Sequence, residues 1–349
     1  MSEQSRIMIL QGQEEKIKNI HYEIDVNKMP LGEGGTGIVR QGVLVDENTG
    51  IRKDVAIKFL FNDLSDNVIQ RSRREAEIRI NSENLIEMLG FVQVGETDLY
   101  GKGSIHYHVV SELLRGVMLL DMLNGDVPDS VYMNCPKIKA FHDELLSNRY
   151  SFALKIVQNV LSGIMALHDN GYIHRDIDPS NVMITEEGKV KLIDLGICKK
   201  IDSMNTASEH LTSVGQFVGK AAYAAPELVR GDLSHQNTTT DIYSVGIMLY
   251  QIITGSLPFR GTIQEVLDKQ LKDKMPLQNI KNKKVRDLIR KATEKKQTDR
   301  FKTAAEFRVA IDSIEDPSSE SGNQINVWFV TAIISVVGII IGVLLGLLF

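Results

Sequence analysis

The sequence of 349 residues has little cysteine: Cys135 and Cys198 are the only two, and neither has His or Cys neighbours at metal-ligand spacing. Neither a disulfide framework nor a zinc site is therefore predicted, and we expect the folded part in a reducing compartment. A basic excess is also lacking, because 40 Lys and Arg stand against 45 Asp and Glu, a formal net charge of −5. Without positive charge to neutralise phosphates, no nucleic-acid partner is expected. The apolar run Ile7–Leu10 is too short for the core of a signal peptide.

The apolar content of 43% is enough to bury a core, and the length allows two ordinary domains or one large two-lobed domain. In the first hundred residues, short runs with strand alternation are separated by turn signals, with one charged helical segment at residues 70–80. From Tyr150 onward, apolar residues recur every three or four positions, and Gly171 offers a helix stop. The pattern predicts an α+β fold with a small β-rich lobe followed by a larger helical lobe.

One long uncharged run, INVWFVTAIISVVGIIIGVLLGLLF, occupies residues 325–349. A helix of this length exceeds a hydrocarbon core of about 30 Å, so the run is predicted to be a single transmembrane helix. Residues 314–324, which are mostly polar, are predicted to form a flexible linker. Gly338, Gly342 and Gly346 recur every four residues and so share one helix face. This face is a candidate homodimer contact.

A glycine-rich run, LGEGGTGIV, places Gly32, Gly34 and Gly37 at G-x-G-x-x-G spacing. Glycine lets a backbone approach phosphate oxygens closely. The residues that follow alternate like a β-hairpin with a turn at residues 47–50, whereas the dinucleotide version of this motif opens a helix. Two strands closing over a nucleotide fit better. The candidate nucleotide contacts are Leu31, Gly32, Glu33, Gly34, Gly35, Thr36, Gly37 and Val39.

The second strand of this hairpin contains VAIK, in which alternation points Ala56 and Lys58 to the same side. The ammonium of Lys58 can hold the α- and β-phosphates of a nucleotide there. Downstream, the helical segment RSRREAEIRI offers Glu75 as the carboxylate that fixes Lys58, with Glu77 as the alternative. A solvated charged face is the other interpretation of this segment.

The most informative run is GYIHRDIDPSNVMITEEGKVKLIDLG at residues 171–196, which contains Asp176, Asn181 and Asp194. Phosphoryl transfer needs one carboxylate near the attacking hydroxyl and two oxygen ligands for magnesium on the phosphates. These residues supply both.

The chain resembles the eukaryotic-type (Hanks-type) serine/threonine protein kinases over about residues 25–313, because several motifs occur in the order expected for that family. They are LGEGGTGIV, VAIK, HRDIDPSN, DLG, AAPE, DIYSVG and Arg300. The resemblance implies an N-terminal extension at 1–24, an N-lobe at about 25–115 and a C-lobe at about 116–313. It further implies use of ATP with Mg²⁺ or Mn²⁺, protein substrates and a bacterial source. Because the family uses cytosolic ATP, the kinase domain is expected on the cytoplasmic side of a membrane that the C-terminal helix spans once.

The resemblance also implies roles for individual residues. Asp176 orients and deprotonates the substrate hydroxyl, Asn181 and Asp194 hold the metal ions, and Lys58 pairs with Glu75. The implied hinge and structural residues are Glu112 and Leu114, whose backbone meets the adenine, Ser111 as gatekeeper, and Glu227 with Arg300 as a buried ion pair. An activation loop is implied at residues 196–224, with phosphorylation candidates that could pair with Arg175: Ser203, Thr206, Ser208, Thr212 and Ser213.

Two positions depart from the family pattern. Asp178 stands where most serine/threonine kinases have lysine, and Lys220 stands where they have threonine. These positions touch each other and the catalytic aspartate in the family, so Lys220 is a candidate to supply the cation and neutralise Asp178. The alternative is that both side chains face solvent and activity is lower.

The segment GKAAYAAPE favours serine/threonine over tyrosine specificity, and Asp178 keeps dual specificity open. A membrane-tethered pseudokinase that binds nucleotide and signals by contact is the main rival. A small-molecule kinase of related fold is a third interpretation, which the AAPE motif and Arg300 weaken.

Overall fold

The computed structural model describes residues 6–97, 103–196, 198–200 and 220–315. The chain divides into two compact units, residues 1–307 and residues 308–349. The second unit is described only for residues 308–315, which complete the last helix. The predicted transmembrane helix and the five phosphorylation candidates lie outside the described residues.

The first lobe is built on an antiparallel sheet. Its elements, in chain order, are β1 (Ile7–Leu10), α1 (Gln13–Lys18), β2 (Ile20–Asp25), β3 (Gly32–Gly34), β4 (Gly37–Asp46), β5 (Arg52–Leu60), α2 (Asp66–Glu77), β6 (Met88–Thr97) and β7 (Gly103–Glu112). The strand order is β1-β2-β4-β5-β7-β6, with β3 paired to β4. The predicted hairpin is confirmed as β4 and β5, and the predicted charged helix as α2.

Alternation along these strands places one set of apolar side chains in a common core. The core residues are Leu10, Tyr22, Ile24, Val55, Ile57, Val92 and Val110. Leu10 lies on β1 and Tyr22 on β2, so strands before residue 25 are built into the lobe. The sheet therefore reaches further toward the N-terminus than the predicted start of the domain.

The second lobe is mainly helical. Its elements are β8 (Gly116–Met118), α3 (Leu119–Asn124), α4 (Asp129–Asn134), α5 (Pro136–Ser147), α6 (Arg149–Asp169), β9 (Tyr172–Ile173), β10 (Val182–Thr185), β11 (Val190–Leu192), β12 (Lys199–Lys200), α7 (Pro226–Val229), α8 (Thr238–Thr254), α9 (Ile263–Lys272), α10 (Lys283–Ala292) and α11 (Ala304–Glu315). The two-lobed architecture predicted from the sequence is thus confirmed. Helix α11 overlaps the first residues of the predicted linker.

Helices α6 and α8 form the centre of this lobe. In α8 nearly every side chain is buried. The helix is capped at its N-terminus by Asn237, whose side chain accepts a hydrogen bond from the Thr239 amide. It is followed by Gly255, whose backbone lies in the left-handed region. Within the described ranges, α6 is the one helix long and apolar enough to span a membrane by length and composition. Its apolar residues pack into the lobe, because most of its most apolar window is buried.

The predicted pair of Glu227 and Arg300 is confirmed as a buried ion pair. The Arg300 guanidinium donates to both carboxylate oxygens of Glu227, at 2.8 and 2.9 Å. Burial alone would raise the pKa of Glu227, but hydrogen bonds from Arg300 and Thr240 and the charge of Arg300 together hold that pKa below its ordinary value of 4.5. Arg300 also donates to the Thr239 carbonyl at 2.9 Å, so the pair ties α7 to the start of α8.

We expect Arg300→Met to lower the free energy of unfolding by about 3–5 kcal/mol at neutral pH, because it leaves the Glu227 carboxylate buried without its cation. Stability from a carboxyl with a lowered pKa is present above its unfolded pKa and is lost as the pH falls. The difference in the free energy of unfolding between Arg300→Met and wild type should therefore become smaller below pH 4.5. Denaturant unfolding measures both effects. Lys139→Gln, which breaks an exposed pair with Asp143, is the control and should change little.

Candidate active site

The loop that carries Asp176 is held in place from helix α8. The buried carboxylate of Asp241 accepts hydrogen bonds from the backbone amides of His174 (2.9 Å) and Arg175 (2.8 Å) and from the ring of His168 (2.8 Å). Arg175 adopts a φ of +70°, a conformation that costs free energy for a residue with a side chain. Sequence reasoning assigned no role to Asp241, although the DIYSVG motif begins with it.

Asp176 and Asn181 contact each other across a short turn. The Asn181 side-chain amide donates to the Asp176 carbonyl at 2.8 Å and to its carboxylate at 3.1 Å. Burial, followed by the charge of Asp178, raises the pKa of Asp176. Asp178 accepts from the Ser180 amide at 2.7 Å and so caps the 3₁₀ turn Pro179–Asn181.

Asp194 is brought to the same place by strand β11. The Ile193 amide donates to the Asn181 carbonyl at 2.8 Å, which connects the two segments directly. Asp194 has a φ of +61°, and its carboxylate accepts from the Gly196 amide at 3.1 Å. Asp194 therefore directly follows the residue that contacts Asn181, and Asn181 in turn contacts Asp176.

The donor set fits magnesium. Asn181 donates with its amide nitrogen to Asp176, which leaves the amide oxygen for a cation, and Asp194 supplies carboxylate oxygens. Mg²⁺ prefers oxygen ligands and is commonly held by one or two protein side chains together with substrate phosphates. The described residues contain no cluster of three or more His, Cys, Asp or Glu side chains placed to hold a metal ion. A site that the protein shares with substrate phosphates needs fewer protein ligands than such a cluster supplies.

The glycine-rich run forms the β3–β4 hairpin, with Gly34 opposite Gly37 and Gly32 opposite Val39. A Cβ atom at Gly32, Gly34 or Gly35 would meet nothing within 4 Å. A Cβ at Gly37 would lie 2.1 Å from the Phe59 carbonyl oxygen on β5. The first three glycines therefore leave open space, as a backbone phosphate cradle requires, whereas Gly37 permits the close approach of two strands.

Strand β5 places Lys58 beside this loop, since Lys58 pairs with Val39 on one side and Val109 on the other. Ala56 lies two residues earlier on the same face and pairs with Ser111, the predicted gatekeeper. The predicted nucleotide contacts Val39, Ala56 and Lys58 thus lie on adjacent strands.

The predicted ion pair between Lys58 and Glu75 is not formed: among ion pairs within 4.0 Å between described residues, none joins these two. Instead, a carboxylate oxygen of Glu75 lies 3.4 Å from the position that a Cβ on Gly196 would take. Arg71, one helical turn earlier, donates to the Gly196 carbonyl at 3.4 Å. Helix α2 therefore contacts the DLG segment, and the alternative residue Glu77 is exposed.

Burial and the negative charge of Asp194 together raise the pKa of Glu75 to about 7. The positive charge of Lys58 lowers this pKa, but by less than the charge of Asp194 raises it. An ammonium in direct contact would act strongly in the opposite direction. Lys58 is thus near enough to lower the pKa of Glu75, but it forms no ion pair with Glu75 within 4.0 Å.

The predicted hinge lies at the end of β7. The Glu112 amide donates to the Glu87 carbonyl at 2.9 Å, while the Glu112 carboxylate accepts from the Glu87 amide at 2.8 Å and from Lys191 at 2.6 Å. Lys191 lies on β11, so its contact with Glu112 joins the two lobes. Leu114 lies in the connection between β7 and β8 and is half-buried. Sequence reasoning missed Lys191, whose only signal was a lysine within an otherwise apolar strand.

Lys220 contacts Asp178, as the hypothesis of a charge exchange requires. The ammonium lies 2.6 Å from the Asp178 carboxylate, and it also contacts the Ser180 hydroxyl. Lys220 and Asp176 line the same small cavity. The alternative in which both side chains face solvent is wrong for Asp178, whose side chain is 2% exposed.

The sequence profile described as "Protein kinase domain" matches residues 26–308. The chain belongs to the protein kinase domain family. It is similar to serine/threonine-protein kinase drp72 of Corynebacterium efficiens, 33% identical over 66% of this chain and 39% of the relative. It is also similar to PrkC of Bacillus subtilis, 30% identical over 81% and 39%, and to PknL of Mycobacterium tuberculosis, 28% identical over 66% and 49%. The chain therefore spans less than half the length of these curated relatives, and its kinase domain is the shared part.

We expect Gly37→Ala to lower the Tm of the kinase domain, because the added methyl group would overlap the Phe59 carbonyl. Gly34→Ala should leave the Tm unchanged, since the space beside it is open, but should weaken ATP binding if that space receives phosphate. Thermal unfolding and titration with a fluorescent ATP analogue, performed on both variants, measure the two effects separately. Equal Tm losses for the two variants would contradict this division of roles.

Proposed function

We propose that this chain is a protein kinase that transfers the γ-phosphate of ATP to serine or threonine hydroxyls of proteins. The observation that carries the proposal is the arrangement in which Asn181 contacts Asp176 through its side chain and Ile193, the residue before Asp194, through its backbone. It provides a carboxylate for the hydroxyl next to oxygen ligands for magnesium, the combination that phosphoryl transfer requires.

In this mechanism Asp176 orients the substrate hydroxyl and accepts its proton. Its raised pKa makes its carboxylate a stronger base than that of a free aspartate. Asn181 and Asp194 would hold Mg²⁺ or Mn²⁺, which neutralises charge on the phosphates when bound.

The nucleotide itself would be held by other residues. The backbone of residues 32–35 and the ammonium of Lys58 would hold the phosphates, and the backbone of Glu112 and Leu114 would meet the adenine.

A shift of helix α2 would accompany activation. Glu75 faces the DLG segment and is not paired with Lys58, so a small movement of α2 is needed to form the pair that orders Lys58. Serine/threonine specificity is supported by the GKAAYAAPE segment and by the relatives, which are named as serine/threonine-protein kinases. Dual specificity remains the alternative for the hydroxyl that is accepted.

The second candidate function is a pseudokinase that binds nucleotide and signals by contact. Two observations favour it: Asp178 stands where the family has lysine, and Lys58 is not paired with Glu75. Against it, the phosphate-handling residues Lys58, Asp176, Asn181 and Asp194 are all present.

The purified full chain should transfer labelled phosphate from Mg-ATP to a generic protein substrate or to itself. Asp176→Asn should lower transfer by about 10²- to 10⁴-fold, because the variant cannot accept the hydroxyl proton. Nucleotide affinity should be nearly unchanged, since the nucleotide contacts lie on other residues. Phosphoamino-acid analysis identifies the hydroxyl, and mass spectrometry shows whether the segment 196–224 is modified. Nucleotide binding without transfer by the wild-type chain would favour the pseudokinase.

We further propose that residues 325–349 hold the chain in a membrane with the kinase domain in the cytoplasm. The support is the length and absence of charge of this run, together with the need for cytosolic ATP. Pairing of two such helices through Gly338, Gly342 and Gly346 would bring two kinase domains together and favour phosphorylation of one by the other.

We expect the full chain to sediment with membranes and to resist extraction at high salt, whereas a chain that ends at residue 324 should not sediment. Cross-linking in mild detergent should yield dimers that Gly342→Leu reduces, because a large side chain separates the helices. Ile340→Leu, on the opposite helix face, is the matched control and should leave the dimer fraction unchanged. Monomer alone in the wild-type chain would rule out pairing through this face.

A further inference from the structure

Asp178 is a buried carboxylate, and Lys220 is its one cationic partner within 4.0 Å among the described residues. One of its oxygens, Oδ1, accepts from the Ser180 amide at 2.7 Å and from the Lys220 ammonium at 2.6 Å. The other, Oδ2, is buried and has no hydrogen-bond partner among the described residues. A buried carboxylate is costly unless it is paired and hydrogen-bonded. Lys220 therefore supplies the opposite charge, and the Ser180 amide the hydrogen bond, that compensate for the burial of the Asp178 carboxylate.

The Asp178 carboxylate is connected to the reaction centre through its cap on the turn Pro179–Asn181. The turn ends at Asn181, whose amide holds both the carbonyl and the carboxylate of Asp176. A displacement of Asp178 would break the hydrogen bond from the Ser180 amide. The turn would then no longer fix the orientation of the Asn181 side chain. The contacts thus run from Lys220 through Asp178 and the turn to Asp176.

The backbone of Lys220 is anchored to the helical lobe. Its carbonyl accepts from the Tyr223 amide at 2.9 Å, which begins the turn Ala221–Tyr223. The side-chain amide of Gln270, a buried residue of α9, donates to the carbonyls of Ala221 (3.3 Å) and Ala222 (2.6 Å). This anchor fixes the point from which the Lys220 side chain reaches Asp178.

We propose that Lys220 is a positioning residue of the catalytic centre, which through its ion pair with Asp178 holds the turn that orients Asn181 and Asp176. The inference rests on the proposed kinase function and deepens it. The cation comes from the segment before AAPE and the anion from the catalytic loop, so the geometry of the loop depends on the placement of residue 220. Lys220 acts through Asp178, and its partly exposed ammonium lines the cavity next to Asp176.

A double-mutant cycle in the full chain tests this role with Lys220→Met, Asp178→Asn and the combined variant. Lys220→Met should lower kcat by about 10- to 100-fold, because a small misplacement of reacting groups has effects of this size. The KM for ATP should change by less than about 3-fold, since the residues proposed to contact the adenine and to form the glycine-rich loop lie outside this ion pair. The combined variant should be more active than Lys220→Met alone, because an asparagine side chain at position 178 keeps the cap without leaving a buried charge.

Two controls complete the design. Lys220→Arg keeps the charge and should retain kcat within about 3-fold of wild type. Lys189→Met removes a lysine of similar exposure that pairs with an exposed carboxylate, and it should leave kcat unchanged. The Tm of every variant is measured in parallel.

The inference is overturned if Lys220→Met lowers the Tm while kcat stays within about 2-fold of wild type, or if the combined variant is no more active than Lys220→Met. In both cases an active wild-type chain leaves the proposed function intact. If the wild-type chain has no transfer activity but the cycle still shows coupling in Tm, the proposed function fails and the pair serves stability alone.

Discussion

The hydrogen bonds from the catalytic loop to the buried carboxylate of Asp241 are the constraint on which the site depends. They hold the backbone of His174 and Arg175 against helix α8, with Arg175 in a left-handed conformation that a free loop would avoid. Burial alone would raise the pKa of Asp241, but the hydrogen bonds that it accepts, above all from His168, keep that pKa below its ordinary value. The position of Asp176, the next residue, is fixed by this loop.

From that fixed loop, the site is assembled by contacts between segments that are distant in sequence. The Ile193 amide connects the Asp194 segment to Asn181, and Lys220, near the end of the implied activation loop, contacts Asp178. The first lobe is attached by backbone hydrogen bonds between Ile86 and Leu192 and between Leu192 and Asn84, and by the ion pair of Lys191 with Glu112.

The catalytic loop is thus firmly held, whereas helix α2 contacts the DLG segment without pairing Glu75 to Lys58. This difference supports the proposal that α2, and not the loop that carries Asp176, moves on activation.

The chemistry of the site could be predicted from the sequence because it depends on residue types at short spacings. Asp176, Asn181 and Asp194 lie within one run of residues, and the strands around the turn at residues 186–188 bring them together locally. Hairpin β4–β5 and helix α2 were likewise predicted from alternation and charge, which are local signals. The membership of the chain in the protein kinase domain family follows from the order of these motifs and is confirmed by the match over residues 26–308.

The sequence alone determined the two-lobed organisation, the candidate phosphate-handling residues and the unusual charges at positions 178 and 220. The tertiary structure decided which of these residues touch. It paired Lys220 with Asp178, separated Lys58 from Glu75, and gave Asp241 and Lys191 roles that no local pattern had shown. The physical reason is range: helical and strand periodicity act over a few residues, whereas an ion pair depends on distances of a few ångströms between segments that only the folded core brings together.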